Sequence, residues 1–173
     1  TFKFITDKNY SATDDGNGLY KFYDANGNSD IKVFQGEFKT KTFIVDDTAE
    51  NQIYVIPDES LDTGKITVDV YDTPTSTKFT SYYFLDTALT VDSTTTFFDI
   101  KESPNGYYEI NFGDGKSFGK SPAVGSKVVV RYFSSRGTDA NGCTSFKSAN
   151  GFVLNDVNYP VNIQIQKSST EGY

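Results

Sequence analysis

Apolar and polar side chains alternate with a period of two residues along the whole chain, and this pattern is the strongest constraint on the fold. The clearest runs are residues 66–70, 108–112 and 161–165, where every second residue is apolar. Such alternation is typical of a strand with one buried face. A helical spacing of i, i+3 and i+4 is nowhere sustained over three turns. The sequence therefore predicts a mainly β protein with little helix.

Less regular patterns predict further strands at residues 19–23, 31–38, 42–45, 53–56, 78–84, 97–100 and 128–133. Three consecutive valines, Val128 to Val130, are apolar on both faces, which predicts a strand inside a sheet or between two layers. Segments 85–92 and 138–151 are rich in turn residues and are predicted loops. Short strands joined by such loops indicate an antiparallel β-sandwich or a barrel-like sheet.

The chain of 173 residues is long enough to bury one substantial core or two small ones. Residues 1–32 are more polar and turn-rich than the rest, so we predict an N-terminal segment that forms a hairpin or ends a preceding domain. Residues 33–173 are predicted to form the main β domain. The sequence starts at Thr1 and contains no methionine, so we expect it to be part of a longer chain.

Charge and composition exclude several classes of function. A net charge of -7 argues against nucleic acid or an anionic membrane as partner, because such binding depends on Lys and Arg. The absence of histidine removes Ser-His-Asp and Cys-His catalysis. A single cysteine, Cys143, permits no internal disulfide and, without histidine, no usual zinc site. We assign Cys143 no role, and we predict no cofactor and no metal site.

Two Gly-Lys-Ser triplets, at residues 115–117 and 119–121, prompt a test for a phosphate-binding loop. That motif needs a glycine five positions earlier, where this chain has Ile110 and Asp114. It also leads into a helix, whereas Pro122 follows the second triplet directly. Both requirements fail, so the triplets do not predict nucleotide binding.

Oxygen-bearing side chains occur at alternate positions of residues 24–30, as they do in a calcium-binding loop; they are Asp24, Asn26, Asn28 and Asp30. The sixth position of that loop requires glycine and the twelfth glutamate, but Ser29 and Gln35 occupy them. Asn26-Gly27 is also a strong hairpin-turn dipeptide. The segment is therefore predicted to be a turn rather than a calcium site.

Paired carboxylates are the remaining route to catalysis, as in glycosidases. The candidates are Glu102, Glu109, Asp114 and Asp139. Asp114 precedes a glycine, as turn residues do, and Glu109 lies on the polar face of its predicted strand. Spacing selects no pair, so an enzyme is not predicted.

Consecutive aromatic residues require some rings to point outwards, because neighbouring side chains on a strand face opposite ways. These runs are Tyr82-Tyr83-Phe84, Phe97-Phe98 and Tyr107-Tyr108. A second packed layer or a partner must cover the outward rings. Exposed rings also bind sugars by stacking, so a glycan-binding module remains an alternative, although tryptophan is absent.

Residues 107–142, "YYEINFGDGKSFGKSPAVGSKVVVRYFSSRGTDANG", resemble the central motif of the baseplate-J family, the wedge proteins of contractile phage tails and related injection machines. The "GKSFGKSP" stretch is two or three residues longer than in many members. The resemblance extends over residues 33–173. The matching residues are Phe112, Gly113, Asp114, Gly115, Gly119, Pro122, Gly125, Tyr132, Gly137, Asn141 and Gly142.

The resemblance implies a structural subunit of a tail baseplate wedge, without catalysis or cofactor. Within the family, the acidic, Phe- and Tyr-rich composition is most similar to wedge subunits of T4-like phages. Such a subunit would form a homodimer or ring, contact other wedge proteins around the tail hub, and reside in the virion after assembly in the host cytoplasm. Asp114-Gly115 would form a hairpin turn with positive φ, and Phe112 and Tyr132 would pack under it.

Overall fold

The computed structural model describes residues 1–6, 8–46, 52–87, 90–165 and 167–170. Secondary structure there is almost entirely strand, which confirms the prediction of a mainly β fold. None of the helices within these ranges has the length and apolar character to cross a membrane. Two 3-10 helices span Leu85–Thr87 and Gly137–Ala140. The strands are β1 Phe4–Thr6, β2 Ser11–Asp14, β3 Tyr20–Tyr23, β4 Val33–Gln35, β5 Glu37–Ile44, β6 Tyr54–Ile56, β7 Leu61–Tyr71, β8 Phe79–Phe84, β9 Phe97–Glu102, β10 Tyr108–Phe112, β11 Lys127–Ser134, β12 Phe152–Leu154 and β13 Val157–Tyr159.

The chain forms two compact units. One consists of residues 36–135, and the other of residues 1–35 together with 136–173. The chain passes from one unit to the other after residue 35 and again after residue 135, and neither point is the predicted boundary after residue 32. The domain assignment stays a prediction.

A seven-stranded sheet makes up the unit of residues 36–135, in the order β5-β11-β7-β8-β9-β10-β6. Neighbouring strands are antiparallel except β8 and β9, which pair in parallel. The sheet curls into a nearly closed barrel, so the barrel-like alternative of the prediction is the observed one. Strand β11 lies between β5 and β7, as the apolar run Val128 to Val130 predicts for an interior strand.

The inner face of this sheet forms the main core. Its fully buried side chains are Ile56, Val68, Ile110, Val128 and Val130. Four aromatic rings extend the core as a chain of edge-to-face contacts: Phe43 to Tyr54 at 5.4 Å, Tyr54 to Phe112 at 5.1 Å, and Phe112 to Tyr82 at 5.3 Å between centroids. These rings come from β5, β6, β10 and β8, so the chain of contacts joins strands from both ends of the sheet.

Side chains, rather than a backbone ladder, connect the two edge strands β5 and β6. The Gln52 side chain donates a hydrogen bond to the Ile44 carbonyl (2.9 Å) and accepts one from the Asp46 N–H (2.7 Å). At the other end, Lys39 pairs with Asp58 at 2.8 Å. Together with the Phe43–Tyr54 contact, these interactions close the barrel across a gap where the described strands share no backbone pairing.

The predicted strand at residues 31–38 is wrong in one respect, because Gly36 divides it into β4 and β5. Gly36 has φ +136°, and a Cβ there would collide with the Ser134 carbonyl and the Phe133 ring. The chain passes too close to β11 at this point for a side chain. Strand β5 then extends to Ile44 and includes most of the predicted strand at 42–45.

The second unit contains three two-stranded sheets: β1 with β4, β2 with β3, and β12 with β13. Rings of Tyr20, Phe22, Phe152 and Tyr159 pack together between the last two sheets. The β12–β13 turn has positive φ at both central residues, Asn155 and Asp156, as a type I′ hairpin requires.

The predicted strand at residues 161–165 is wrong. The described residues there pair with no strand, and Ile163 and Ile165 are 44% and 42% exposed. Alternation creates an apolar face, but a strand forms only where another strand satisfies its backbone groups. The prediction also missed β1, β2, β12 and β13, which are only three or four residues long.

Replacing Ile110 by alanine is expected to lower the free energy of unfolding by about 2–5 kcal/mol, because Ile110 is fully buried and its loss leaves a cavity. Ile53, which is 60% exposed, provides the control, and Ile53→Ala is expected to change stability by no more than about 0.5 kcal/mol. Urea denaturation followed by circular dichroism measures both. Equal effects of the two substitutions would contradict the assigned core.

Candidate functional site

The Phe-Gly-Asp-Gly motif forms a closed loop directly after β10. One carboxylate oxygen of Asp114 accepts hydrogen bonds from the N–H groups of Lys116, Ser117 and Phe118, each at 2.8 Å. The N–H of Asp114 in turn donates to the Phe118 carbonyl at 2.9 Å. The three backbone donors, that of Phe118 foremost, hold the pKa of Asp114 below its usual range. The carboxylate therefore organises its own loop.

Glycines permit the backbone path of this loop. Gly115 and Gly119 have φ of +69° and +73°, and the N–H of Gly115 donates to the Gly119 carbonyl at 2.9 Å. Gly113 is buried, and a Cβ there would collide with the backbone of Phe118 and Gly119. These positions require glycine for conformation or for space.

A second loop, residues 91–96, supports the first. The N–H of Gly119 donates to the Asp92 carbonyl and that of Lys120 to the Thr95 carbonyl, both at 2.8 Å. The Asp92 carboxylate accepts hydrogen bonds from the hydroxyl and N–H groups of Thr94 and Thr95, the Thr94 hydroxyl foremost, and these hold its pKa below the usual range. Sequence reasoning missed Asp92, although Asp followed by Ser-Thr-Thr is a turn signature.

The ring beneath the motif loop is Phe97, which the sequence analysis did not assign to that position. Phe97 is 3% exposed, and a Cβ on Gly119 would collide with its ring. Phe118 lies edge-on to Phe97 with centroids 5.1 Å apart and remains 49% exposed. The loop thus acts as a local second layer over β9 and presents one aromatic ring to solvent.

Phe112 and Tyr132 were predicted to pack under the turn of the motif, but both lie in the main core. Phe112 contacts Tyr54 and Tyr82, and buried Tyr132 lies opposite Ile66 in the β11–β7 register. Phe112 belongs to the chain of ring contacts that closes the sheet, whereas Tyr132 packs in the core between paired strands.

Pro122 and Gly125 lie on the path from the loop to β11. Pro122 is buried, and Gly125 has φ +82° within a turn closed by the Ser126 N–H and the Ala123 carbonyl at 3.0 Å. The N–H of Gly125 donates to the Val45 carbonyl at 2.9 Å, which anchors the turn to the end of β5.

The last three motif residues, Gly137, Asn141 and Gly142, belong to the other unit. Gly137 begins a 3-10 helix, and the Asn141 N–H donates to the Thr138 carbonyl at 3.0 Å. The Gly142 N–H donates to the Ser169 carbonyl at 2.7 Å. The motif therefore divides into a group at residues 112–132 and a group at 137–142.

The three candidate carboxylates of the unit of residues 36–135, Glu102, Glu109 and Asp114, do not form a pair suited to catalysis. Glu102 and Glu109 lie on opposite faces of the β9–β10 hairpin, since Glu109 opposes Lys101 and Glu102 opposes Tyr108. Asp114 is engaged in its loop, and Asp139 lies in the 3-10 helix of the other unit. Within the described ranges, no three His, Cys, Asp or Glu residues gather as a metal site would require.

Residues 24–30 form a turn, as predicted. Asp24 accepts hydrogen bonds from the N–H groups of Asn26 and Asn28, both at 2.9 Å, and pairs with Lys8 at 2.8 Å. These interactions, that with Lys8 foremost, hold the pKa of Asp24 well below its usual range. Its oxygens are thus committed to protein donors.

Adjacent aromatic residues follow two different arrangements. Tyr82 is buried in the core, where burial raises its pKa to about 12, whereas Tyr83 is 64% exposed on the outer face. Phe98 lies in the core and Phe97 under the motif loop, so both are covered. Two exposed rings are therefore neighbours of Phe97. Tyr83 pairs with Phe97 in the sheet, and the Phe118 ring contacts the Phe97 ring.

Comparison with known proteins assigns this chain to no family. No protein-family model matches the sequence. No curated protein is significantly similar to it. The motif residues and their geometry therefore carry the functional argument.

Gly119→Ala is expected to destabilise the protein more than Gly125→Ala. Both positions have similar positive φ, +73° and +82°, which costs about 1–2 kcal/mol for alanine. Only at Gly119 does the added methyl group meet the Phe97 ring, whereas no atom lies within 4 Å of it at Gly125. Thermal unfolding of the two variants isolates this steric cost. Equal stabilities would contradict the close packing of the loop on Phe97.

The motif loop is expected to open in acid. Because the pKa of Asp114 is depressed in the folded loop, the charge-dependent stabilisation is complete above the ordinary carboxyl pKa of about 3.9 and is lost as pH falls through the folded value. Carbon-13 NMR of the Asp114 carboxyl and hydrogen exchange of the Ser117 amide measure the two events. Asp114→Asn serves as the non-titrating control. A titration midpoint at the ordinary value would contradict the three hydrogen bonds.

Proposed function

We propose that this protein is a structural subunit of the baseplate wedge of a contractile phage tail. In this role it associates with itself, as a dimer or ring, and contacts other wedge proteins around the tail hub. It acts in the virion, after assembly in the host cytoplasm, and uses no cofactor. Two observations support the proposal: the motif resemblance and the hydrogen bonding of the motif loop.

The observation that carries the proposal is that the Phe-Gly-Asp-Gly loop uses its carboxylate and its backbone N–H groups for hydrogen bonds within the protein. Its carboxylate binds three N–H groups of its own loop, and two further N–H groups bind the neighbouring loop. A catalytic carboxylate must be able to reach a substrate. This one instead holds Phe118 at a defined position, 49% exposed on the buried Phe97 ring. A fixed, exposed aromatic ring is a common anchor of protein interfaces.

A glycan-binding module is the second candidate. The exposed rings of Tyr83, which pairs with Phe97 in the sheet, and of Phe118, which contacts it, favour this candidate because aromatic rings stack on sugars. Buried Tyr82 is not available for such stacking. Saturable binding of surface glycans that is lost in Tyr83→Ala would support this candidate over the first.

Light scattering over a concentration series, at moderate salt, tests the wedge proposal. We expect a dimer or larger assembly, because the proposed role requires self-association. Phe118→Ser is expected to weaken association by at least about fivefold, as loss of an interface anchor does. Phe79→Ser is the matched control: Phe79 is equally exposed, at 49%, but begins β8 and pairs with Tyr71, whereas Tyr83 near the other end of β8 pairs with Phe97.

The same light-scattering measurement can also contradict the wedge proposal. A chain that stays monomeric at every concentration, and that binds no other wedge protein, would overturn the proposed function. Equal effects of Phe118→Ser and Phe79→Ser would remove the motif loop from the interface.

A further inference from the structure

Asparagine followed by glycine occurs five times in the chain, and all five asparagines are exposed. In such a pair the backbone nitrogen of the glycine can attack the side-chain amide of the asparagine, because glycine has no Cβ to hinder the approach. Exposure alone therefore does not rank the five sites. They are Asn17-Gly18, Asn26-Gly27, Asn105-Gly106, Asn141-Gly142 and Asn150-Gly151.

This reaction, a deamidation, needs only water as co-reactant. The glycine nitrogen loses its proton to the solvent and forms a bond to Cγ of the asparagine. The bond from Cγ to Nδ2 breaks, and that nitrogen leaves as ammonia with a proton taken from water. Water then adds to either carbonyl of the cyclic imide and opens the ring. The product is aspartate when one of the two ring C–N bonds breaks and isoaspartate when the other does.

Hydrogen bonds protect four of the five sites. An N–H that is held by an acceptor must give up that bond before its nitrogen can attack, so the bond slows the reaction of the preceding asparagine. The Gly27 N–H donates to the Asp24 carbonyl at 3.0 Å, that of Gly106 to the Ser103 carbonyl at 2.9 Å, that of Gly142 to the Ser169 carbonyl at 2.7 Å, and that of Gly151 to the Ser148 hydroxyl at 3.1 Å.

Gly18 is the exception. Within the described part of the chain its N–H donates no hydrogen bond, and no atom there lies within 4 Å of a Cβ placed on it. Bonds on either side hold the rest of the turn, since the Asn17 N–H donates to the Asp15 carboxylate at 3.0 Å and the Asp15 N–H to the Leu19 carbonyl at 2.9 Å. The Gly18 nitrogen can therefore react without the loss of a hydrogen bond of the fold.

We propose that Asn17, in the turn between β2 and β3, is a site of spontaneous deamidation in the folded protein. Conversion to aspartate adds a carboxylate beside Asp14 and Asp15 and makes an already acidic chain more negative. Conversion to isoaspartate also lengthens the backbone of the turn by one methylene group. This inference goes beyond the wedge role and does not depend on it, since it follows from the hydrogen bonding of one turn.

Peptide mapping by mass spectrometry tests the proposal. The full chain is incubated in mildly alkaline buffer, and samples that are digested at intervals give the deamidated fraction at each of the five asparagines. We expect Asn17 to react at least about fivefold faster than each of the other four. A hydrogen bond that must first be broken costs about 1 kcal/mol, which corresponds to about that factor.

Incubation in urea provides the control for intrinsic reactivity. Unfolding removes the hydrogen bonds that protect the other four sites, while every site keeps glycine as its next residue. We expect the five rates to converge in urea. If Asn17 kept the same advantage in the unfolded chain, hydrogen bonding in the fold would not be its cause, and the inference would be wrong.

A single substitution is expected to expose a second site. The acceptor for the Gly151 N–H is a side chain, the exposed Ser148 hydroxyl, so it can be removed without a change in the backbone. Ser148→Ala is expected to accelerate deamidation of Asn150 by about fivefold and to leave Asn17 unchanged. Ser145→Ala is the matched control, because Ser145 is equally an exposed serine but binds no backbone N–H among the described residues. It is expected to change neither rate.

Two results would overturn the inference. One is equal deamidation of the five sites in the folded chain, or faster conversion at an asparagine other than Asn17. The other is an unchanged rate at Asn150 in Ser148→Ala, once circular dichroism has verified that this variant is folded. The comparison within the wild-type chain needs no variant, so the first result decides the matter even if Ser148→Ala does not fold.

Discussion

Closure of the seven-stranded sheet through side chains is the interaction on which the rest of the larger unit depends. The rings of Phe43, Tyr54, Phe112 and Tyr82 connect strands that are far apart in the sheet order. These rings pack with the fully buried aliphatic side chains Ile56, Val68, Ile110, Val128 and Val130 in one core. Aromatic residues suit such a junction because their area and edge-to-face contacts stabilise a gap across which the described strands share no backbone pairing. The motif loop packs on Phe97 of strand β9 in this sheet.

The motif loop illustrates how acidic residues can serve structure alone. Asp92 and Asp114 each accept hydrogen bonds from groups within a few residues, so each carboxylate fixes its own loop. Two backbone bonds then join the loops to each other above Phe97. The backbone N–H groups of residues 114–120 are thus satisfied within the two loops. The Phe118 ring, held against Phe97, is the part of the loop that remains exposed to solvent as a large apolar side chain.

The alternation of apolar and polar residues predicted much of this fold. The remaining features depend on contacts between residues that are distant in sequence. Alternation at residues 66–70 and 108–112 located β7 and β10, because those strands have one buried face. The same pattern failed at residues 161–165, where no partner strand satisfies the backbone. The glycine at 115 could be predicted from its turn, but neither Asp92 nor Phe97 could be assigned to the motif. Their roles arise from a loop some twenty residues distant in sequence, and a period of two residues carries no information about such contacts.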